Sequence, residues 1–538
     1  MRSNQDNWYQ NAIFYEVNTR SFYDSNGDGQ GDLLGVREKL DYLKGLGVDC
    51  LWLLPVYASP MKDGGYDISD FRAIRPDFGT LDDLKELVVA AHTKGLRVIM
   101  DLVLNHTSDQ HEWFQKARAD RHSPYRDYYV WRDDEQGYRD ARIIFLDSEK
   151  SNWSWDEKAG QYYWHRFYSF QPDLNYDNPR VVEEMIGVMD FWLALGIDGF
   201  RVDAVPYLIE REGTNCENLL ETHAVLKKMR AFVDEKYPGR VLLCEANQWP
   251  HDVRAYFGDG DEFQMAFHFP LMPRMYMALK QGDYAPIRWA LENTPQIPEN
   301  CQWCTFLRNH DELTLEMVTE KERQWMWQQY APEPGMKLNL GIRRRLAPLL
   351  DNDPQQIALA YALLFALPGS NVLYYGDEIG MGDDIQRPDR DGVRSPMQWD
   401  ASKNAGFSSA DTLFAPVLGG DFAPARVNVA AQQTAPHSLF NQVRKMIAVR
   451  KAHPAFASGK YTEVASPADA VAAFLRSDEN ERILAVHNLG WEGQTFEFPQ
   501  EQAQRGLEDL LTGECYTAVQ GKYALKLAGK SFCWLKIL

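Results

Sequence analysis

Eight short, uninterrupted apolar runs, each followed by an amphipathic helical pattern, limit what this chain can fold into more than any other feature of its sequence. They begin at Ile13 (IFYEV), Cys50 (CLWLLP), Arg97 (RVIMDLVLN), Gly199 (GFRVDAV), Arg240 (RVLLCEA), Phe263 (FQMAFHF), Cys304 (CTFLRNHDE) and Asn371 (NVLYYGDE). Continuous rather than alternating hydrophobicity marks strands buried on both faces, the signature of a parallel sheet. The intervening helices carry their own punctuation: Leu81 to Lys94 follows Thr80 as N-cap and stops at Gly95, Val181 to Leu195 starts behind Pro179 and stops at Gly196, and Gln355 to Leu367 begins after Pro354. Eight strand-then-helix units favour a closed TIM (β/α)8 barrel over an open doubly wound sheet, because closure removes both exposed edges.

Three stretches break the repeat. Residues 105–172 are polar and aromatic, too long for an ordinary connection, and predict an inserted domain after strand three. Residues 312–353, with Trp325, Trp327 and Tyr330, predict an insertion after strand seven that is either an aromatic lid or a packed subdomain. The last segment turns to short runs such as RILAVHNLG and FCWLKIL, which read as an antiparallel β-sandwich. The expected organisation is barrel over 1–104, inserted domain over 105–172, barrel again over 173–452, and a C-terminal β domain over 453–538.

Composition excludes several classes. A content of 45% hydrophobic and 25% charged residues in 538 rules out a disordered chain or a small disulfide scaffold. The 57 Lys and Arg against 77 Asp and Glu leave a net charge of −20, which repels nucleic acid and anionic membrane surfaces. The N-terminus MRSNQDNWYQ lacks a leader pattern and no apolar run approaches the roughly 18 residues of a membrane span, so a cytoplasmic location is expected. Seven cysteines at irregular spacing imply reduced thiols, and Cys301-x-x-Cys304 lacks the second half of a zinc site. Self-association into a homo-oligomer stays open.

Charge interrupts the apolar runs at informative places. Asp203, Glu245 and Asp311 follow directly on strand sequence in RVDAV, LLCEA and RNHDE. A carboxylate buried unpaired inside a strand costs several kcal/mol, so these belong at the C-terminal mouth, where barrel chemistry sits. The chemistry that needs converging carboxylates is glycoside cleavage through an oxocarbenium-like transition state, one acid neutral and one ionised. A rim of ion pairs around Arg201 is the structural alternative, against which His106 and His310 beside the acids weigh.

The segments DLVLNH, GFRVDAV, CEA and RNHDE, in this order on successive strands, resemble the conserved regions of the α-amylase superfamily, over essentially the whole chain. The resemblance implies Asp203 as nucleophile, Glu245 as general acid/base and Asp311 as the holder of sugar hydroxyls, with Arg201 keeping Asp203 ionised. It implies Asp67 in GGYDISDF as the anchor of the terminal glucose with Tyr66 stacked on it. His106 and His310 are implied as hydroxyl ligands, with Gln171 and Arg394 beside them. Within the superfamily the segments EANQWP, LRNHDELTLEMV and VRSPMQW resemble members that isomerise maltose to trehalose. Glu312 stands where oligoglucosidases carry Gln, and Asn247 is a candidate to hold freed glucose. Hydrolysis of maltose or isomalto-oligosaccharides is the alternative activity. A non-catalytic transporter subunit of the same fold is a remote one, since such subunits lack the acids and carry a membrane anchor.

One or two structural calcium sites are expected, and no organic cofactor. Asp24, Asn26, Asp28, Gln30 and Asp32 put oxygens at every second position around glycines, like the start of an EF-hand, but Gly35 stands where the bidentate Glu belongs. The loop is either a plain Asx-rich turn or, by resemblance to oligoglucosidase-like members, a calcium loop with the Gln30 carbonyl as a ligand. A second site is implied by resemblance alone: Asn105, Asp173 and Glu210 by side chain, Tyr207 and Leu208 by carbonyl.

Overall fold

The computed structural model describes residues 7–538, so the expectation of a leaderless start, which rests largely on residues 1–6, lies outside the described residues. Eight parallel strands close into a barrel: β1 (Ile13–Val17), β2 (Cys50–Leu53), β3 (Arg97–Val103), β4 (Gly199–Asp203), β5 (Val241–Cys244), β6 (Met265–Phe267), β7 (Gln302–Phe306) and β8 (Ser370–Tyr374). Each pairs with its neighbours in sequence, and β1 closes the ring onto β8 with Ile13 opposite Asn371. Every residue of β1, β2, β4, β5, β6 and β8 is buried, as two-sided packing demands.

The three helices read from the sequence run Leu81–Thr93, Pro179–Ala194 and Pro354–Ala366. Thr80 and Asp83 cap the first reciprocally, and Asp353 accepts from the Gln355 amide at 2.9 Å to start the third. That third helix is buried from Gln356 to Ala366, because Leu439–Ala452 and the C-terminal strand Arg482–Asn488 cover the side the barrel leaves open.

After β3 the chain builds a small domain: helix Glu112–Ala119 and an antiparallel sheet of Trp131–Arg132, Gln161–Trp164 and Trp153–Asp156. After β7 it builds helix Glu320–Tyr330, capped by Thr319 and Glu322, and a sheet of Leu313–Thr314, Gly341–Ile342 and Lys337–Leu338. The C-terminal domain is antiparallel: a six-stranded sheet from Lys460–Glu463 to Phe532–Ile537 and a two-stranded sheet of Gln494–Pro499 with Lys522–Leu527 share one apolar core around Leu484, Phe496, Phe498 and Leu535. None of the seven cysteines is paired, and all but Cys515 are buried. Among the described residues no helix is long and apolar enough to cross a membrane.

Candidate active site

The site is organised around one guanidinium. Arg201 lies opposite Asp101 in the β3–β4 register and is only 1% exposed. Its Nη1 bonds Asp101, Asp203 Oδ1 (2.7 Å) and the Tyr66 hydroxyl (3.2 Å), while Nη2 reaches Glu245 Oε1 (2.5 Å). Asp203 is the last residue of β4 and Glu245 follows the last residue of β5, so two adjacent strand ends bring both carboxyls onto one cation. Trp52 Nε1 holds the other oxygen of Asp101 at 2.7 Å.

The two carboxyls differ in proton affinity. Burial raises Asp203 to about 6 and Glu245 to about 8, with Arg201 opposing both shifts. A hydrogen bond between the two groups separates them, lowering Asp203 and raising Glu245. Near neutral pH Glu245 therefore carries the proton and Asp203 the charge, the division that acid catalysis beside a nucleophile requires.

Asp311, in the loop after β7, is held by Arg390 Nη1 (2.9 Å) and Arg394 Nη2 (3.1 Å), with His310 Nε2 at 3.2 Å. Burial opposes its ionisation, but the guanidiniums of Arg390 and Arg394 outweigh burial and keep the carboxyl below its usual range. The ring of Tyr66 lies parallel to His310, centroids 5.3 Å apart.

Asp67 requires a correction. Its carboxylate is fully buried and accepts from Ser59 Oγ (3.0 Å) and the amides of Lys62 (3.0 Å) and Asp63 (3.1 Å), so it is spent on shaping the turn and does not reach the cavity. Asp63, three residues before Tyr66, lines the cavity instead and pairs with Arg390. Gln171 stands behind it, donating to Asp63 Oδ2 at 2.8 Å. Neither Asp63 nor Arg390 was picked out from the sequence. Both sit in loops without periodicity, and Asp63 shares its segment with a second Asp.

The cavity has a volume of about 120 Å³, below the roughly 300 Å³ at which pockets for drug-sized ligands begin. Asp203, Glu245 and Asp311 line it, as do Phe145 and Phe167 of the first insertion and Glu312 and Glu316 of the second. His106 Nε2 and Asn247 Oδ1, on two further lining residues, are buried with no hydrogen-bond partner. Burial lowers His106 to about 3 and raises Glu312 to about 7. Arg142 of the first insertion joins the two lips, bonding Glu316 (2.7 Å), Glu217 (2.8 Å) and the Tyr207 hydroxyl (3.2 Å).

Of the two readings of the aromatic insert, the packed subdomain is the one found: none of Trp325, Trp327 and Tyr330 lines the cavity. Trp327 Nε1 donates to Gly341 O (3.2 Å), Tyr330 is buried and donates to Tyr276 O (2.7 Å), and Trp325 packs on the same core. The contact across the mouth is polar: Glu312 and Glu316 of the second insertion line the cavity and Arg142 of the first insertion bonds Glu316, and of these only Glu312 stands out in the sequence.

Both proposed cation sites were tested on their oxygens. Asn105 Oδ1, Asp173 Oδ2 and Glu210 Oε1 are buried without partners; burial raises Asp173 to about 8, and burial together with the Asp173 charge pushes Glu210 well above the usual carboxylate range. An all-oxygen, partner-free cage next to the turn Val205–Tyr207 and Leu208 fits a hard cation. In the other loop Asp24 accepts from the amides of Asn26, Gly27 and Gly29, Asn26 from Asp28, Asp28 from Gln30, and Asp32 caps helix Leu33–Glu38. Its side-chain oxygens are largely satisfied by the loop itself, and the Gln30 side chain turns to Arg20.

A closed barrel, an insertion after β3 and a carboxyl pair on a shared arginine define a class, and the comparisons agree with it. The α-amylase catalytic domain family matches residues 16–332 and 342–459, and the maltogenic amylase C-terminal domain matches residues 461–534. The chain belongs to the α-amylase family. It is 56% identical over 542 residues to the trehalose synthase/amylase of Mycobacterium tuberculosis, covering 98% of this chain and 90% of that protein. It is 52% identical over 556 residues to the trehalose synthase of Pimelobacter sp., covering 98% and 96%. Among solved structures it resembles the trehalulose synthase MutB, with a TM-score of 0.81 and 29% identity over 98% of this chain and 100% of that one.

Proposed function

We propose that this protein isomerises maltose to trehalose by retaining, intramolecular glucosyl transfer, with minor hydrolysis to glucose. The observation that carries the reading is closure around a split pair: an ionised Asp203 and a protonated Glu245 share Arg201 inside a small cavity whose lips are tied together. Carboxyls this close leave no room for the water an inverting mechanism needs between them.

Glu245 gives its proton to the glycosidic oxygen as the bond to C1 breaks, and an Asp203 oxygen takes C1 to form a glucosyl ester. The freed glucose turns until its anomeric hydroxyl faces the ester. Glu245, now a carboxylate, removes that proton, the hydroxyl oxygen attacks C1, and the ester opens to return Asp203 as carboxylate and Glu245 as acid. Asp311, Asp63, Arg390 and His106 hold the transferred ring, with Arg394 supporting Asp311 from behind, whereas Asn247, Glu312 and Glu316 surround the freed glucose. Water exclusion separates isomerisation from hydrolysis, because water would intercept the ester. Calcium at Asn105, Asp173 and Glu210, with the carbonyls of Tyr207 and Leu208, would stabilise the junction of barrel and insertion. The Asp24–Asp32 loop is a second, weaker candidate.

The test is NMR analysis of products from maltose with isotopically labelled free glucose added. Trehalose with little label supports the reading. Mostly free glucose assigns the protein instead to hydrolysis.

A further inference from the structure

Beneath the sugar-facing residues lies Glu16, fully buried in β1 between Trp52 of β2 and Tyr374 of β8. Nothing in the reaction above uses it. Its Oε1 accepts from the backbone amide of His310 (3.2 Å) and also bonds His310 Nδ1, while Oε2 is buried without any partner. A carboxyl desolvated in the interior of a barrel strand is costly to keep, so what it holds in place matters.

We infer that Glu16 is a positioning residue that fixes the proton of His310 on Nδ1 and so sets the direction of a hydrogen-bond chain across the site. Two observations at opposite edges of the ring lead there. At one edge a single oxygen faces both an amide N–H, which only donates, and Nδ1. An ionised or carbonyl-type oxygen accepts two such bonds well, whereas a protonated one is a poor acceptor, so Nδ1 brings the hydrogen. At the other edge the Tyr66 hydroxyl is 2.8 Å from His310 Nε2 and 3.2 Å from Arg201 Nη1. Arg201 can only donate to it, so the Tyr66 hydrogen finds an acceptor here only if Nε2 is bare.

The chain then runs one way: Arg201 to Tyr66, Tyr66 to His310, His310 to Glu16. It begins on the guanidinium that holds Asp203 and Glu245, and it leaves a bare ring nitrogen 3.2 Å from Asp311 Oδ2. With the Nε2 lone pair taken by Tyr66, Asp311 Oδ2 is the acceptor left for a sugar hydroxyl. Without Glu16 the proton is free to move to Nε2, where Asp311 attracts it, and Tyr66 loses its acceptor.

Histidine-selective nitrogen-15 labelling reads the tautomer directly, with the His310 signals identified by their absence in His310→Gln. The full-length wild type should show Nδ1 protonated and Nε2 bare. Glu16→Leu should move the proton to Nε2 and lower kcat by about 10-fold or more, with KM changed less, in the range typical of lost outer-shell partners. Glu16→Gln presents an amide oxygen to the same amide and should restore the tautomer and recover most of the loss. A wild-type spectrum with the proton on Nε2, or an unchanged tautomer in Glu16→Leu, overturns the inference. If Glu16→Leu does not fold, the wild type and Glu16→Gln spectra still decide. The activity arm rests on the proposed isomerisation, whereas the tautomer arm stands or falls without it.

Discussion

Replacing Arg142 by Ala tests whether closure governs the fate of the glucosyl ester. Arg142 bonds Glu316 at 2.7 Å and Glu217 at 2.8 Å with its own side chain 36% exposed. At that exposure each pair contributes about 1 kcal/mol, the upper end for surface ion pairs. Glu217 keeps Arg166 and Gln248 after the change, whereas Glu316, 16% exposed, loses its only cationic partner at the edge of the cavity, where solvent reaches it. Only the Glu316 pair crosses between the insertions, so its loss weakens closure by about 1 kcal/mol, or about 5-fold in the ratio of closed to open forms. Free glucose relative to trehalose, measured by NMR from maltose, should rise by up to about 5-fold, while maltose consumption changes little. An unchanged product ratio in a folded Arg142→Ala protein would refute the link between the lip and the reaction path.

Three further outcomes are expected. The pH profile of kcat/KM should be bell-shaped: activity falls below about 6 as Asp203 takes up its proton and above about 8 as Glu245 loses its own, and undiminished rates at pH 9 would contradict the assignment. Asp63→Asn should lower kcat/KM by about 10-fold or more through the loss of a charge-assisted bond to Arg390, whereas Asp67→Asn should act chiefly on Tm; steady-state kinetics beside calorimetry separate the two. Stripping divalent ions should lower Tm, excess calcium should restore it, and Asp173→Ala should abolish that response; a Tm indifferent to chelator in the wild type would remove calcium from the Asn105 cage.

The barrel was legible because its signal is one-dimensional: an apolar run of strand length has the same meaning wherever it stands, and all eight runs are strands. Asp203 and Glu245 were legible because charge at the end of such a run has few structural uses. The same rule applied inside IFYEV and RVIMDLV would have found Glu16 and Asp101, each a carboxylate in a strand interior. Asp63 and Asp67 differ only in the path of a four-residue turn, and which one faces the cavity depends on amides at Lys62 and Asp63 that no spacing reveals. Arg142 and Glu316 are 174 residues apart, and their meeting is a property of two insertions packed on one mouth. Trp325 and Tyr330 left lid and core undecided, because composition is the same for both; packing on the core settles it.

The tied lips also bear on proton traffic. On the proposed path the proton that Glu245 lends to the departing glucose comes back from that glucose's anomeric hydroxyl, so isomerisation ends with as many protons in the chamber as it began. Neither water nor a buffer ion has to cross the Arg142–Glu316 tie between entry of one disaccharide and exit of the other. Hydrolysis has no such bookkeeping, since it must admit a molecule of water. One ion pair at the mouth thereby separates a reaction that is self-contained from one that is open to the solvent.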